Sequence, residues 1–166
     1  LFVTSIVWGG NWAHWRGPAG NGSSPDAKPP IEWSETKNVK WKVPVPGRGS
    51  GSPVIWENKV FVVSAVAAKG GRGFDGERLS KLAFKLFCFD RETGKILWEK
   101  TAITATPHQG THSTNGFASA SPCTNGKHVY AHFGSRGLYC YTMDGELVWK
   151  RDDFGKMDTR NAFGEG

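Results

Sequence analysis

One feature constrains this chain more than any other: a unit of sequence that occurs twice. The run Ser52-Pro53-Val54-Ile55-Trp56-Glu57-Asn58-Lys59-Val60-Phe61-Val62-Val63 matches Ser121-Pro122-Cys123-Thr124-Asn125-Gly126-Lys127-His128-Val129-Tyr130-Ala131-His132 at an offset of 69 residues. Further on, Leu86-Phe87-Cys88-Phe89-Asp90-Arg91-Glu92-Thr93-Gly94-Lys95-Ile96-Leu97-Trp98 matches Leu138-Tyr139-Cys140-Tyr141-Thr142-Met143-Asp144-Gly145-Glu146-Leu147-Val148-Trp149, at an offset of 52 that falls to 51. Two matches in the same order define a repeat, and the change of offset places a 17-residue insertion in the first copy, within 65–83. Each copy reads as four short strands. In the second these are 119–124, 128–134, 137–143 and 146–152, joined at Asn125-Gly126, Ser135-Arg136 and Asp144-Gly145, which suit tight antiparallel turns. In the first they are 52–55, 59–64, 84–90 and 95–100.

A four-stranded meander recurring at this spacing is the signature of a β-propeller blade, and a ring closes with about 4–8 of them. Two blades make an arc. Upstream, Val39-Lys40-Trp41-Lys42-Val43 resembles a fourth strand by itself, with Trp41 standing where Trp98 and Trp149 stand. A ring whose last blade borrows its outer strand from the N-terminus would place such a strand there. The expected fold is therefore all-β: a partial propeller of about two four-stranded antiparallel blades plus a closing N-terminal strand, the N-terminal part of a longer ring. The expected organisation is an extended segment over 11–32 and an incomplete propeller over 33–166. Within it lie a blade at 52–101, a blade at 119–152 and a crossover at 153–166, and the remaining blades of the full-length chain are its first partners.

Composition agrees with short strands and tight turns: 22 glycines, 8 tryptophans and 13% aromatic residues in 166. A charged fraction of 22% beside that aromatic content excludes a disordered tail. No run of about 18 apolar residues is present, so no transmembrane segment is expected. The net charge of +6 is spread along the chain, which hints at an acidic partner but provides no basic stripe for nucleic acid. Three cysteines cannot form a complete disulfide framework. The opening Leu1-Phe2-Val3-Thr4-Ser5-Ile6-Val7-Trp8-Gly9-Gly10, apolar and then small, reads as a signal-peptide remnant over 1–10 and implies a periplasmic or secreted protein.

At Asp90-Arg91-Glu92-Thr93-Gly94-Lys95-Ile96-Leu97-Trp98 the sequence resembles the pyrroloquinoline-quinone (PQQ)-type propeller repeat: an Asp, then Thr-Gly-Lys, then a Trp that packs onto the neighbouring blade. The second copy departs from it, since Thr142 replaces the Asp and the turn is one residue shorter, with Asp144-Gly145 retained. More closely, Asn11-Trp12, Trp15-Arg16-Gly17-Pro18, the His-rich stretch 107–122 and the ending Arg160-Asn161-Ala162-Phe163-Gly164-Glu165-Gly166 are similar to secreted or periplasmic PQQ-like repeat proteins. The resemblance implies that Trp41, Trp98 and Trp149 are plugs between blades, and that Asp90, Thr93, Gly94, Asp144 and Gly145 build the turns they meet.

In an up-and-down meander, the loop between second and third strands and the crossover between blades emerge at one end. The insertion and the stretch 101–118 both lie there, and long loops on a rigid scaffold are where binding residues concentrate. Within Pro107-His108-Gln109-Gly110-Thr111-His112-Ser113-Thr114-Asn115-Gly116-Phe117, the residues His108, His112 and Asn115 are candidate metal ligands by type, although a Gly/Ser/Thr-rich loop does not force them to converge. His128 and His132 lie ~13 Å apart on a strand and cannot share one metal. The inserted loop carries Lys69, Arg72, Arg78, Lys81 and Lys85 against Asp75 and Glu77, a solvated excursion by composition. Gly47-Arg48-Gly49-Ser50-Gly51 reads as a flexible crossover into the first blade.

Quinoprotein dehydrogenases of this family hold PQQ with a stacking Trp, a vicinal disulfide and calcium; the chain shows neither an adjacent cysteine pair nor a recognisable calcium set, so no cofactor is assigned. Other proteins with the repeat, including the propeller lipoprotein of the bacterial outer-membrane assembly machine, resemble it in fold and bind no PQQ. The expected function is a binding scaffold, without assigned catalytic residues, using its long-loop face for a protein or extracellular polymer. The alternative is a PQQ- and calcium-dependent oxidoreductase of alcohols or sugars.

Overall fold

The computed structural model describes residues 10–68 and 80–159. Eight strands fall into two four-stranded antiparallel sheets, each in plain sequence order. The first contains β1 (Val54–Trp56), β2 (Lys59–Ala67), β3 (Leu82–Asp90) and β4 (Ile96–Ala105). The second contains β5 (Cys123–Thr124), β6 (His128–His132), β7 (Leu138–Thr142) and β8 (Leu147–Arg151), with a short 3-10 turn at Gly134–Arg136. This is a partial β-propeller of two blades. The expected signal remnant, apart from Gly10, lies outside the described residues, as do Lys69, Arg72, Asp75, Glu77, Arg78 and the ending 160–166.

Two expectations about length change. The insertion in the first copy is partly strand, because β2 and β3 stay paired out to Ala67 and Leu82. The stretch from Thr101 to Ala105 also belongs to β4 rather than to the crossover, pairing with β3 up to Leu82. Alternating Phe84, Leu86 and Cys88 on one face and Phe87 and Phe89 on the other explain this: a strand buried on both faces favours a long ladder. The ladder between third and fourth strands is broken by a bulge at Cys88/Phe89 in the first blade and at Cys140/Tyr141 in the second, the same repeat position. Such bulges raise the local twist. Here they set Trp98 opposite Cys88 and Trp149 opposite Cys140.

The main core lies between the blades. Val54, Phe61, Val63 and Leu86 of the first blade are fully buried in one cluster with Val129, Ala131 and Tyr139 of the second. Phe84 meets Phe133 edge-on at 5.5 Å and Phe61 meets Trp98 at 5.8 Å. Each such side chain contributes about 1.5–3 kcal/mol by leaving water. Burial also pushes the Cys88 thiol up to about 12 and the Tyr139 phenol up to about 12. The opposite face of the first blade, with Val60, Phe87 and Phe89, packs against Val43 of the N-terminal segment.

The tryptophans sit at equivalent joints. The Trp98 indole N–H donates to the Met143 carbonyl at 3.1 Å, and a Cβ at Gly145 would stand 2.8 Å from the Trp98 ring. The Trp41 indole N–H donates to the Arg91 carbonyl at 2.8 Å, and a Cβ at Gly94 would stand 2.7 Å from the Trp41 ring. Lys40 is ion-paired with Glu92 beside that contact. Residues 39–45 have no ladder partner among the described residues; side chains hold this segment to the first blade, through the Trp41 ring and N–H, the Lys40–Glu92 pair and the packing of Val43. Trp149, at the corresponding place on the second blade, is 41% exposed and touches Tyr130.

Candidate functional site

Short turns and long connections separate to opposite ends of the blades. At one end lie the β1–β2, β3–β4, β5–β6 and β7–β8 turns; at the other lie the β2–β3 connection, the β4–β5 crossover and the 3-10 turn between β6 and β7. The long-connection end is the candidate site.

Its best-formed part is the Gly47–Gly51 run, and here the structure corrects the expectation of a flexible crossover. Arg48 pairs with Ala65 through two hydrogen bonds, N–H to O at 3.0 Å and the reverse at 2.9 Å. On its other side, the Ser50 amide donates to the Ala118 carbonyl at 3.0 Å. The glycines fall at alternate positions because backbone crowds one side of the run. A Cβ at Gly47 would collide with the Ala65 carbonyl, one at Gly49 would lie 2.6 Å from the Val63 carbonyl, and one at Gly51 would lie 2.7 Å from the Ala120 carbonyl. Arg48 and Ser50 alternate with these glycines along the run. They line a cleft of about 380 Å³ together with Val45, Val62, Thr114 and Asn115. Arg48 also borders a smaller cavity of about 190 Å³ lined by Ala67, Leu82 and Phe117.

The candidate metal ligands are each engaged elsewhere. His108 Nε2 donates to the Met157 carbonyl at 3.2 Å and lies 3.4 Å from Asp158 Oδ1, which leaves Nδ1 to accept from Arg136 Nη2 at 3.3 Å. His112 Nδ1 is 2.8 Å from Thr114 Oγ1. Asn115 Oδ1 accepts from the Gly116 amide at 2.8 Å and from Ser119 Oγ at 2.6 Å. These contacts organise the crossover loop and clamp 157–158 to it; the three side chains bond to separate sets of partners, and a guanidinium beside His108 opposes a cation.

The turn residues form a self-contained unit at the opposite end. Asp90 Oδ1 accepts from Thr93 Oγ1 and the Thr93 amide, both at 2.7 Å, and from the Glu92 amide at 3.1 Å. The hydroxyl and amide bonds hold the Asp90 carboxyl below its ordinary range. Thr142 replaces that carboxylate in the second blade, with its hydroxyl accepting from the Glu146 amide at 3.1 Å. Asp144 accepts from Lys59 Nζ at 2.7 Å, and the same ammonium donates to the Met143 carbonyl at 2.9 Å.

Sequence reasoning missed Lys59, Arg48 and Ser50, as well as the N-terminal clip. In the clip, Trp12 pairs with Ile55 through two backbone bonds (2.8 and 2.9 Å), the Ala13 carbonyl accepts from the Thr124 amide at 2.9 Å, and Asn11 Oδ1 accepts from the Glu57 amide at 2.7 Å. The alternation of glycine in Gly47–Gly51 is the one signal that pointed to a packed rather than a free strand.

Among families of known proteins, the one described as outer membrane protein assembly factor BamB matches residues 30–152. The chain belongs to this family. A crystal structure of BamB from Moraxella catarrhalis is 16% identical, with a TM-score of 0.31; the match covers 61% of this chain and 34% of that one. The chain thus spans about a third of the length of that BamB. No curated protein matches the sequence.

PQQ with calcium would require converging acidic and amide donors and, as in the dehydrogenases the repeat resembles, a linked pair of adjacent cysteines. Among the described residues no three His, Cys, Asp or Glu side chains come together, and Cys88, Cys123 and Cys140 are separate free thiols. The residues described here do not fit that group. No helix among them is long and apolar enough to cross a membrane.

Proposed function

We propose that this member of the BamB family is an exported, non-enzymatic scaffold of the bacterial cell envelope, periplasmic or secreted, that holds a protein or extracellular polymer partner on its long-connection face. The observation that carries this reading is the division of the blades: among the described elements, the strand ends that lead into the β2–β3 and β4–β5 connections lie at one end, and tight turns lie at the other. The membership of a family described as an assembly factor supports an interaction role, and the opening ten residues support export. Trp41, Trp98 and Trp149, with Asp90, Thr93, Gly94, Asp144 and Gly145, serve the joints between units and take no part in holding the partner.

The test is reconstitution of the full-length protein with PQQ and calcium, followed by dye reduction with alcohols and sugars. No substrate-dependent reduction is expected. Stoichiometric quinone uptake with turnover overturns the scaffold reading, and recovery of the protein in the cytoplasmic fraction overturns its export.

A further inference from the structure

The chain holds three Asn-Gly pairs, Asn21-Gly22, Asn115-Gly116 and Asn125-Gly126. Such a pair carries its own chemistry. The glycine nitrogen, with no side chain beside it, attacks the asparagine side-chain carbonyl carbon once backbone and side chain turn toward each other. The fold decides which pair can turn. Asn125 is held at both side-chain atoms: its Oδ1 accepts from the Lys127 amide at 3.0 Å and the His128 amide at 2.8 Å, and its Nδ2 donates to the Tyr130 hydroxyl at 3.2 Å. The Trp56 ring lies against Gly126. At Asn115 the side-chain Oδ1 accepts from Ser119 Oγ at 2.6 Å, and Gly116 is buried. Asn21 and Gly22 are both exposed. There Oδ1 accepts from the Ser23 amide at 2.9 Å, the Gly22 amide donates to the Arg16 carbonyl at 2.8 Å, and a Cβ on Gly22 would meet no described atom within 4 Å.

We propose that the fold selects Asn21 among the three pairs as a site of spontaneous modification, converting through a cyclic imide to aspartate and isoaspartate in the folded protein. The Gly22 nitrogen forms a bond to Asn21 Cγ and gives up its proton; the Cγ–Nδ2 bond breaks, and the side-chain nitrogen leaves with that proton as ammonia. Water then opens the ring. Addition at Cγ gives aspartate, and addition at the backbone carbonyl gives isoaspartate, in which the main chain runs through the former side chain. The bonds that oppose the turn at Asn21 are local and solvent-exposed, the class that opens first in a native protein. Those at Asn125 belong to a turn between two paired strands. Ring closure removes the hydrogen that Gly22 donates to Arg16, so it loosens the loop over 16–22, directly behind the N-terminal clip. The product adds a negative charge to a chain of net charge +6. The modification is independent of what the long-connection face holds.

The experiment ages the full-length protein in mildly alkaline buffer and follows all three pairs by fragment-ion mass spectrometry, which places each amide-to-acid mass gain on its residue. Conversion at Asn21 is expected to run about fivefold or more faster than at Asn115 or Asn125. It should yield both aspartate and isoaspartate, and it should accelerate with pH as the Gly22 nitrogen loses its proton more readily. In guanidinium chloride strong enough to unfold the protein, the three rates should converge, because each pair is then a free Asn-Gly. Equal rates in the folded protein, or faster conversion at Asn115 or Asn125, overturn the proposal. So does aspartate as the sole product, which would mean direct hydrolysis without the imide. A lead for Asn21 that persists unchanged in the unfolded chain overturns it too, since the neighbouring sequence and not the fold would then make the selection.

Discussion

The indole of Trp98 donates a hydrogen bond to the carbonyl of Met143, across the joint between the two blades. Trp41 does the same to Arg91, although it stands on a segment without a strand ladder. In both cases the ring covers the glycine that ends the receiving turn, and in both that glycine has a positive φ, +84° at Gly145 and +71° at Gly94. The turn and the tryptophan are therefore one device: a left-handed glycine removes the Cβ that would hold the indole away, which brings the N–H within reach of the turn's own carbonyl.

Replacement of Gly145 by Ala tests that coupling. The new Cβ would lie 2.8 Å from the Trp98 ring in addition to occupying a left-handed backbone. Gly155 has a similar φ of +73° with nothing within 4 Å, so Gly155→Ala isolates the backbone cost. We expect Gly155→Ala to destabilise by about 1 kcal/mol and Gly145→Ala by about 2–4 kcal/mol in chemical denaturation. Equal costs at the two sites would show that the indole yields freely.

Glu57 offers the opposite case. It occupies the repeat position of Gly126 and, like it, has a positive φ, 51° against 84°. Its amide bond to Asn11 is made by the backbone, which a glycine retains. Glu57→Gly should leave stability unchanged or raise it by up to about 1 kcal/mol, whereas Gly126→Ala should lower it because the new Cβ would collide with the Trp56 ring. A clear loss of stability in Glu57→Gly would mean that its side chain contributes more than the strain it causes.

The two blades were legible because the repeat carries both hydrophobic alternation and turn residues, and pairing in register needs little else. Trp41 and Trp98 stand at matching places in the unit, and each indole donates to a carbonyl of the turn it meets. What could not be read was contact between segments far apart in the chain. Lys59 reaching Asp144, and Trp12 pairing with Ile55, depend on how one blade stacks on the next. The crossover loop shows both ranges of contact: His112 and Asn115 bond within it, to Thr114 and Ser119, while His108 reaches Met157 and Arg136 far along the chain. Gly47–Gly51 was misread because glycine signals freedom and close packing equally, and only the neighbouring backbone decides between them.

Acid sensitivity should differ between the two equivalent turns. The Asp90 carboxyl is held low first by the Thr93 hydroxyl and then by backbone amides. A folded-state pKa below the unfolded value of ~3.9 means the contribution is present above that pH and is lost as pH falls through the folded pKa. Thr93→Val removes the hydroxyl donor while keeping the amide, so the Asp90 carboxyl should titrate closer to its ordinary range in a carbon-detected NMR titration. An unchanged midpoint would assign the effect to the amides alone. In the second blade Thr142 has a hydroxyl in place of that carboxylate, so this position contributes no acid transition of its own.

Cys88 reports on the joint itself. It is 0% exposed, faces the core between the blades and pairs across its ladder with Trp98. Burial raises its thiol to about 12, so at pH 8 it offers a reagent neither access nor an appreciable thiolate fraction. Modification by a thiol reagent should therefore wait for the joint to open, with Cys123, which is exposed, reacting first. Trp98→Phe keeps a ring in the joint but deletes the hydrogen bond to Met143, and it should speed Cys88 labelling about fivefold or more, the effect of losing roughly 1 kcal/mol from the closed state. Labelling of Cys88 as fast as that of Cys123 in the parent protein, followed by mass spectrometry of the modified peptides, would show that the blades separate without unfolding and that Trp98 does not hold them together.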